Sequence, residues 1–262
     1  MFRPPMSATI STHRMILLGA TGATGKEALV HALACPSIDK VYSFGRRAPT
    51  LDPPSDKLIH QSLDFDKLLL DKSSPEYEAE ARKLRDVDAS AVLIALGTTR
   101  KAAGSAEAFE KIDREYVVKA AEAAKTSGKQ RLVYLSAASS NSSSSFLYVK
   151  SKGLTEEALA ALGYSETFIV RPGYLDVPGG RNESRLAESI FGKVMNAFST
   201  FSDSLKIDTP VLGKALVNAA VSSGPLAKFA KPETLKGHPA FGITNAAAIK
   251  LGKAKDDELV AA

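Results

Sequence analysis

The run "RMILLGATGATG", residues 14 to 25, limits the possible fold more than any other stretch of the chain. Met15 to Leu18 read as a compact apolar strand that ends in glycine. Gly19, Gly22 and Gly25 follow at intervals of three, where the amphipathic helix "KEALVHALAC" begins. A strand that passes through a glycine turn into a helix is the first unit of a parallel α/β sheet. Glycine allows the tight turn and close backbone approach, and the helix start adds unpaired N–H groups and the positive end of a dipole. Together these suit a pyrophosphate. The turn therefore reads as a dinucleotide-binding element, although its spacing departs from the usual G-x-G-x-x-G.

The alternation begun there continues. "KVYSFG" (40–45), "KLIHQSLDF" (57–65), "ASAVLIALG" (89–97), "RLVYLSA" (131–137) and "ETFIVRPG" (166–173) read as strands two to six. Between them lie loop and helix over 66–86, the helix "AFEKIDREYVVKAAEAAKTSG" (108–128) closed by Gly128, and a helix from about 147. This order predicts an α/β fold, a Rossmann-type doubly wound parallel sheet with right-handed crossovers. After Gly173 the pattern fades, and the C-terminal part is expected to form a small substrate-side cap, most of it from 174–205. Residues 14–262 read as one domain behind a disordered leader over 1–13, where Pro4 and Pro5 oppose an amphipathic presequence helix. The serine run "SAASSNSSSS" (136–145) reads as a flexible solvated link, and "LAKFAKPETLKGH" (226–238) as a solvated basic face that could also rest on an anionic membrane.

Composition excludes several classes. With 262 residues, 44% hydrophobic and 24% charged, the chain can bury a substantial core, and disorder does not describe it as a whole. The net charge of +5 comes without clusters of aromatic residues and arginine, so an anionic small molecule fits better than nucleic acid. One cysteine, Cys35, cannot form an intramolecular disulfide, and the four scattered histidines predict no metal site. No apolar run is long enough to span a bilayer, and no signal-peptide core precedes the first strand.

The residues after strand two discriminate between cofactors. An acidic residue there accepts the ribose hydroxyls of NAD, whereas arginine accommodates the additional phosphate of NADP. The sequence has Arg46 and Arg47 with no acid beside them, which favours NADP(H). At the other end of such a crevice, "FLYVKSKGL" offers Tyr148 and two lysines. Residues four apart share a helix face, so Lys152 stands beside Tyr148 while Lys150 faces solvent. A tyrosine with a pKa near 10 is a poor acid, and a neighbouring ammonium lowers that value by favouring the phenolate. Ser136, twelve residues before Tyr148, is placed to hydrogen-bond a substrate oxygen. Gly153, unfavourable inside a helix, suggests close packing beside the cofactor crevice.

Ser136 with Y-x-x-x-K behind "GATGATG" resembles the short-chain dehydrogenase/reductase superfamily. "LGTTRKAAGSAEAFEKIDREYVVKAAEAAK", "SSFLYVKSKG" and "FIVRPGYL" narrow this, because they resemble the Tat-interacting-protein family of atypical short-chain reductases, whose fungal relatives include a mitochondrial outer-membrane-associated protein. The resemblance runs from about Met15 to "GITNAAAIKLGK". It implies that Gly19, Thr21, Gly22, Ala23, Thr24 and Gly25 surround the pyrophosphate, that Arg46 and Arg47 meet the adenosine phosphate, and that Asp64 and Phe65 meet the adenine. It further implies that Leu96, Gly97 and Thr98 line the cofactor, that Lys152 also holds the nicotinamide ribose, and that Pro172 and Gly173 meet the carboxamide. Arg181 and Arg185 match basic positions on the family's substrate side.

The chain departs from relatives at Ala137, where a second serine is common, so the catalytic hydroxyl depends on Ser136 unless Ser139 or Ser140 substitutes. Residues 71–90 and 224–240 look longer than in relatives. Two functions stay open: an NADPH-dependent reductase of a carbonyl-type substrate, and an NADPH-binding regulatory or redox-sensing protein that acts through protein partners.

Overall fold

The computed structural model describes residues 13–176, 206–223, 226–255 and 258–259. In chain order the elements are β1 (His13–Leu18), α1 (Ala23–Ala34), β2 (Ile38–Gly45), β3 (Leu58–Ser62), α2 (Pro75–Arg85), β4 (Ala91–Ile94), α3 (Arg100–Ala103) and α4 (Ala106–Glu110). A π-helical turn (Lys111–Glu115) follows, then α5 (Tyr116–Ala124), β5 (Arg131–Leu135), α6 (Leu147–Ala161), β6 (Glu166–Arg171) and β7 (Tyr174–Asp176). The described C-terminal elements are β8 (Lys206–Asp208), α7 (Thr209–Val221), β9 (Lys231–Leu235), β10 (His238–Thr244) and α8 (Asn245–Lys253).

The main sheet has the order β3-β2-β1-β4-β5-β6-β10-β9, parallel throughout except for β9 at one edge. Strand order reverses between β1 and β4, so the crevice beyond their C-terminal ends is the ligand position of a doubly wound sheet. Alternation along the strands divides the core. Met15, Leu17, Leu93 and Val133 pack beneath α1, α7 and α8, whereas Ile16, Leu18, Val92, Ile94 and Tyr134 pack beneath α2, α5 and α6. Burying each such aliphatic side chain contributes about 2 kcal/mol relative to exposure.

Local chemistry sets the ends of several elements. Ser74 caps α2 by accepting from Tyr77 N at 3.0 Å, with Pro75 at the first helical position. The helix expected over 108–128 instead forms α4, the π turn and α5. It ends at Ala124, where Lys125 turns extended, so Gly128 does not close it.

The described part of the C-terminal third completes the sheet: β10 lies parallel to β6, β9 folds back antiparallel, and α7 packs against α1 and α8. The turn between β9 and β10, Lys236–Gly237, has φ of 47° and 88°, as a two-residue hairpin turn with the strands' own twist requires. The stretch expected as a basic solvated face is thus in part an edge strand, with Pro232 on that edge. Of 174–205, only 174–176 is described, and it pairs in parallel with 206–208. Arg181, Arg185 and residues 1–12 of the leader lie outside the described residues. No described helix is long and apolar enough to cross a membrane.

Candidate active site

The glycine turn forms the first wall of the crevice. Gly19 takes φ of 91°, and a Cβ there would come within 2.6 Å of the Ala95 carbonyl and Leu96 N. At Gly25 a Cβ would run into the Gly19 carbonyl. Both positions are set by backbone meeting backbone. Gly22 differs: its nearest neighbour to a Cβ is the Gly19 oxygen at 3.5 Å, an ordinary contact, and it starts α1 without any side-chain cap. The helix start thus keeps orphan N–H groups directed at an open, exposed turn, which fits a dinucleotide pyrophosphate. Thr21 is exposed and Thr24 buried at the same turn.

Arg46 and Arg47 follow β2 directly and are exposed. Asp66, an acid outside the residues expected at the site, pairs with Lys111 and accepts from Tyr116 Oη at 2.7 Å. The Asp66 carboxyl is held below its ordinary value first by Lys111 and Tyr116 and, more weakly, by Arg46. Asp64 is exposed after β3, and its carboxylate accepts from Asp66 N at 3.0 Å. The Phe65 ring, 6% exposed, is stacked on Tyr116 at 5.2 Å, so the core takes it up. Leu96, Gly97 and Thr98 follow β4, and Pro172 and Gly173 follow β6, where Gly173 N donates to Asn245 Oδ1 at 2.8 Å.

The centre of the site lies on α6. Lys152 is buried and Lys150 exposed, as the four-residue spacing predicts. The Lys152 ammonium donates to Tyr134 Oη at 3.0 Å and pairs with Asp113 Oδ1 at 3.2 Å, and the Tyr148 ring lies 6.2 Å from Phe109. Burial alone would pull the Lys152 pKa down, but Asp113, Tyr134 and Tyr148 together hold it well above the ordinary lysine value. Burial raises the Tyr148 hydroxyl, Lys152 opposes this, and Asp113 reinforces it, so the net shift is upward. The expected lowering by Lys152 is therefore present but outweighed, because desolvation of the phenolate costs more than the shared ammonium returns.

Ser136 has an unexpected environment. Its hydroxyl donates to the Glu156 carboxylate, four residues beyond Lys152 on the buried face of α6, and lies 2.8 Å from Ser140 Oγ. Glu156 is gripped by the Arg171 guanidinium through Nε at 3.0 Å and Nη2 at 2.7 Å, and Arg171 also reaches Glu233 on β9. The serine run is correspondingly pinned rather than free. Asn141 N donates to Val149 O at 3.1 Å, and Ser142 donates to Glu157. Gly153 owes its identity to this loop, because a Cβ there would run into Ser142 N and the Asn141 backbone. The packing partner is the loop itself, not the cofactor crevice.

Asp113, Tyr134, Glu156 and Arg171 did not emerge from sequence reasoning as site residues. Asp113 had a signal: it falls four residues after Phe109 and four before Val117, an acid in register with a buried face.

No family model matches the chain. Curated proteins do. The chain is 32% identical over 213 residues to "Protein fmp52, mitochondrial" of Emericella nidulans, which covers 79% of this chain and 87% of that protein. It is 36% identical over 208 residues to "Protein FMP52, mitochondrial" of Candida albicans, covering 78% and 86%. With "Protein HTATIP2" of Rattus norvegicus the identity is 34% over 215 residues, covering 80% and 82%. Among solved structures, the Bordetella bronchiseptica enzyme WbmF in complex with NAD+ superposes with a TM-score of 0.60 over 97% of this chain and 83% of that one, at 13% identity. The PhqB reductase domain from Penicillium fellutanum gives 0.55 over 80% and 64%, at 16% identity. The structural likenesses establish a Rossmann-like fold, and the sequence relatives establish that the chain belongs to the family of HTATIP2, the Tat-interacting protein, and the mitochondrial FMP52 proteins.

Proposed function

We propose that the protein is an NADP(H)-dependent reductase of the short-chain dehydrogenase/reductase type, acting on a carbonyl-type substrate with Tyr148 as proton donor. The observation that carries this reading is the union, at the C-terminal edge of one parallel sheet, of an open glycine turn and the α6 face that carries a partly exposed Tyr148 beside a buried Lys152. NADP rather than NAD rests on Arg46 and Arg47, two exposed planar cations directly after β2.

When bound, the dinucleotide supplies a hydride to the carbonyl carbon. Tyr148 gives its hydroxyl proton to the oxygen that gains charge, and water reprotonates the tyrosinate. Lys152 stabilises that tyrosinate and holds the nicotinamide ribose. Ser136 orients the substrate oxygen once its hydroxyl turns from Glu156 to donate to it. Arg181 and Arg185 are proposed to meet an anionic or polar substrate group. The protein is proposed to be cytoplasmic, with peripheral contact on the mitochondrial outer membrane as the family resemblance implies; relatives whose names carry "mitochondrial" support an association with that organelle.

A second reading is favoured by one observation, the commitment of the Ser136 proton to Glu156. In it the protein binds NADPH and acts through partners without turnover. Carbonyl-dependent NADPH oxidation across a panel of aldehydes and ketones separates the two. The reductase reading expects turnover that Tyr148→Phe reduces at least about 100-fold. Tight NADPH binding with no turnover favours the second, and equal rates in wild type and variant reject Tyr148 as donor.

A further inference from the structure

The apolar core stops at one corner of the molecule, beside α2. Along β1, β2 and β3 the residues on the face toward this helix change from apolar to polar. Arg14 shares a strand face with Ile16, Tyr42 pairs with Ile16, and Gln61 pairs with Phe44. The helix repeats the change. Tyr77, Ala81 and Leu84 bury into the core, whereas Ala79, Arg82, Lys83 and Asp86 recur at intervals of three and four on the neighbouring face. Between strands and helix lies an open cleft of about 330 Å³, lined by these polar residues with Val87 as its buried side. That volume is in the range of small-molecule sites.

The helix cations in this cleft are matched by acids of their own helix. Lys83 is held by Glu80 at 2.8 Å and donates to the Ser62 carbonyl, and Arg82 pairs with Glu78 at 2.7 Å, with Asp86 adding its field. The strand groups are not matched. Arg14 forms no ion pair among the described residues, and its hydrogen bond to the Val87 carbonyl is long at 3.4 Å. Tyr42 and Gln61, both partly buried, make no side-chain hydrogen bond among the described residues. We propose that this cleft is a further binding site, which takes a small organic anion: Arg14 clasps its carboxylate or phosphate group, and Tyr42 and Gln61 hydrogen-bond its polar body. A planar guanidinium with spare donors matches either oxyanion, and Arg82 and Lys83 on the opposite wall add positive field. An ammonium group would meet like charge here, and a neutral ligand would leave Arg14 unmatched. The site is separate from the glycine turn, because Arg14 and Gly19 stand about 16 Å apart along β1. The inference therefore does not depend on the reductase reading.

The test is calorimetric titration of the full chain at low ionic strength, with and without excess NADPH. The probes are glycerol 3-phosphate, succinate and, as the uncharged control, glycerol. At least one of the two anions should bind with a Kd below about 1 mM whether or not NADPH is present, and glycerol should not bind. The tighter anion identifies the oxyanion as phosphate or carboxylate. Arg14→Gln should weaken that binding at least about 10-fold, and Tyr42→Phe about 3-fold. Failure of both anions to bind at about 10 mM, or equal affinity in wild type and Arg14→Gln, overturns the proposal. Displacement of the anion by NADPH would place it in the cofactor crevice and overturns it as well. Wild-type protein supplies a second test free of folding defects. The side-chain amide resonances of Gln61, assigned by their loss in Gln61→Leu, should move on addition of the anion with the midpoint found by calorimetry. Gln61 resonances that stay in place while the anion binds overturn the site.

Discussion

The Ser136 hydroxyl donates to the Glu156 carboxylate, which joins the end of β5 to the middle of α6 in the interior behind Tyr148 and Lys152. Because Glu156 is also held by Arg171, and Arg171 by Glu233, the chain of contacts runs from the site to the edge strand β9. The serine that sequence spacing assigns to a substrate oxygen therefore has a packing role of its own. Ser136→Ala should cost stability as well as activity. Removing one hydrogen bond to a buried charge costs about 1 to 2 kcal/mol, a fall in melting temperature of about 3 to 6 °C for a domain of this size. Calorimetry on the variant without substrate measures this, and a melting temperature equal to wild type would mean that the bond contributes nothing.

Cofactor choice is assigned to the residues after β2. Both arginines are exposed, so Arg46→Ala combined with Arg47→Ala should leave the fold intact. Loss of charge-assisted bonds to a phosphate should weaken NADPH binding by about 10-fold or more while NADH binding changes little. Parallel calorimetric titrations with the two nucleotides report the ratio. Equal losses for both would remove the basis for NADP preference.

Gly153→Ala sets two effects against each other. Alanine favours a helix over glycine by about 1 kcal/mol, but a methyl pressed into the Asn141–Ser142 backbone costs about 1 to 3 kcal/mol or more. The contact is with backbone, which cannot rotate away, so net destabilisation is expected. Urea unfolding of the variant checks the sign, and a gain in stability would show that the serine loop yields freely.

Alkaline pH should weaken the fold. Burial first of all raises the hydroxyls of Tyr134 and Tyr164 above their ordinary 10.0, and Lys152 is held above 10.5 by its partners. In each case the unfolded chain releases its proton at lower pH than the native protein. The unfolded state then binds fewer protons, and stability is present below about pH 10 and falls as pH rises through and beyond it. Unfolding midpoints measured between about pH 8 and 11 should decline beyond 10, with the decline reduced in Tyr164→Phe once its own stability change is subtracted.

Legibility followed the range of the interactions. β4 and the Met15–Leu18 part of β1 are continuous apolar runs, and the turn after β1 needs glycine at Gly19 and Gly25 for reasons set by neighbouring backbone, so local sequence carries them. The Tyr148–Lys152 face follows from helical spacing alone. The β9–β10 hairpin was missed because its outer residues are polar and exposed, and the short turn signal Lys236–Gly237 sits in a stretch that reads as a basic face. Glu156 and Arg171 meet across fifteen residues, and Arg171 and Glu233 across sixty-two, distances at which no spacing rule acts. Asp113 was visible as an acid in register with apolar neighbours, but its partner on α6 was not.

The most direct measurement is label transfer from NADPH deuterated at nicotinamide C4 to a carbonyl acceptor that supports turnover, followed by mass spectrometry of the alcohol. The account predicts deuterium on the carbinol carbon in wild type, with Tyr148→Phe at least about 100-fold slower though still able to bind NADPH. An alcohol formed without the label, or at equal rates in the two proteins, would contradict it.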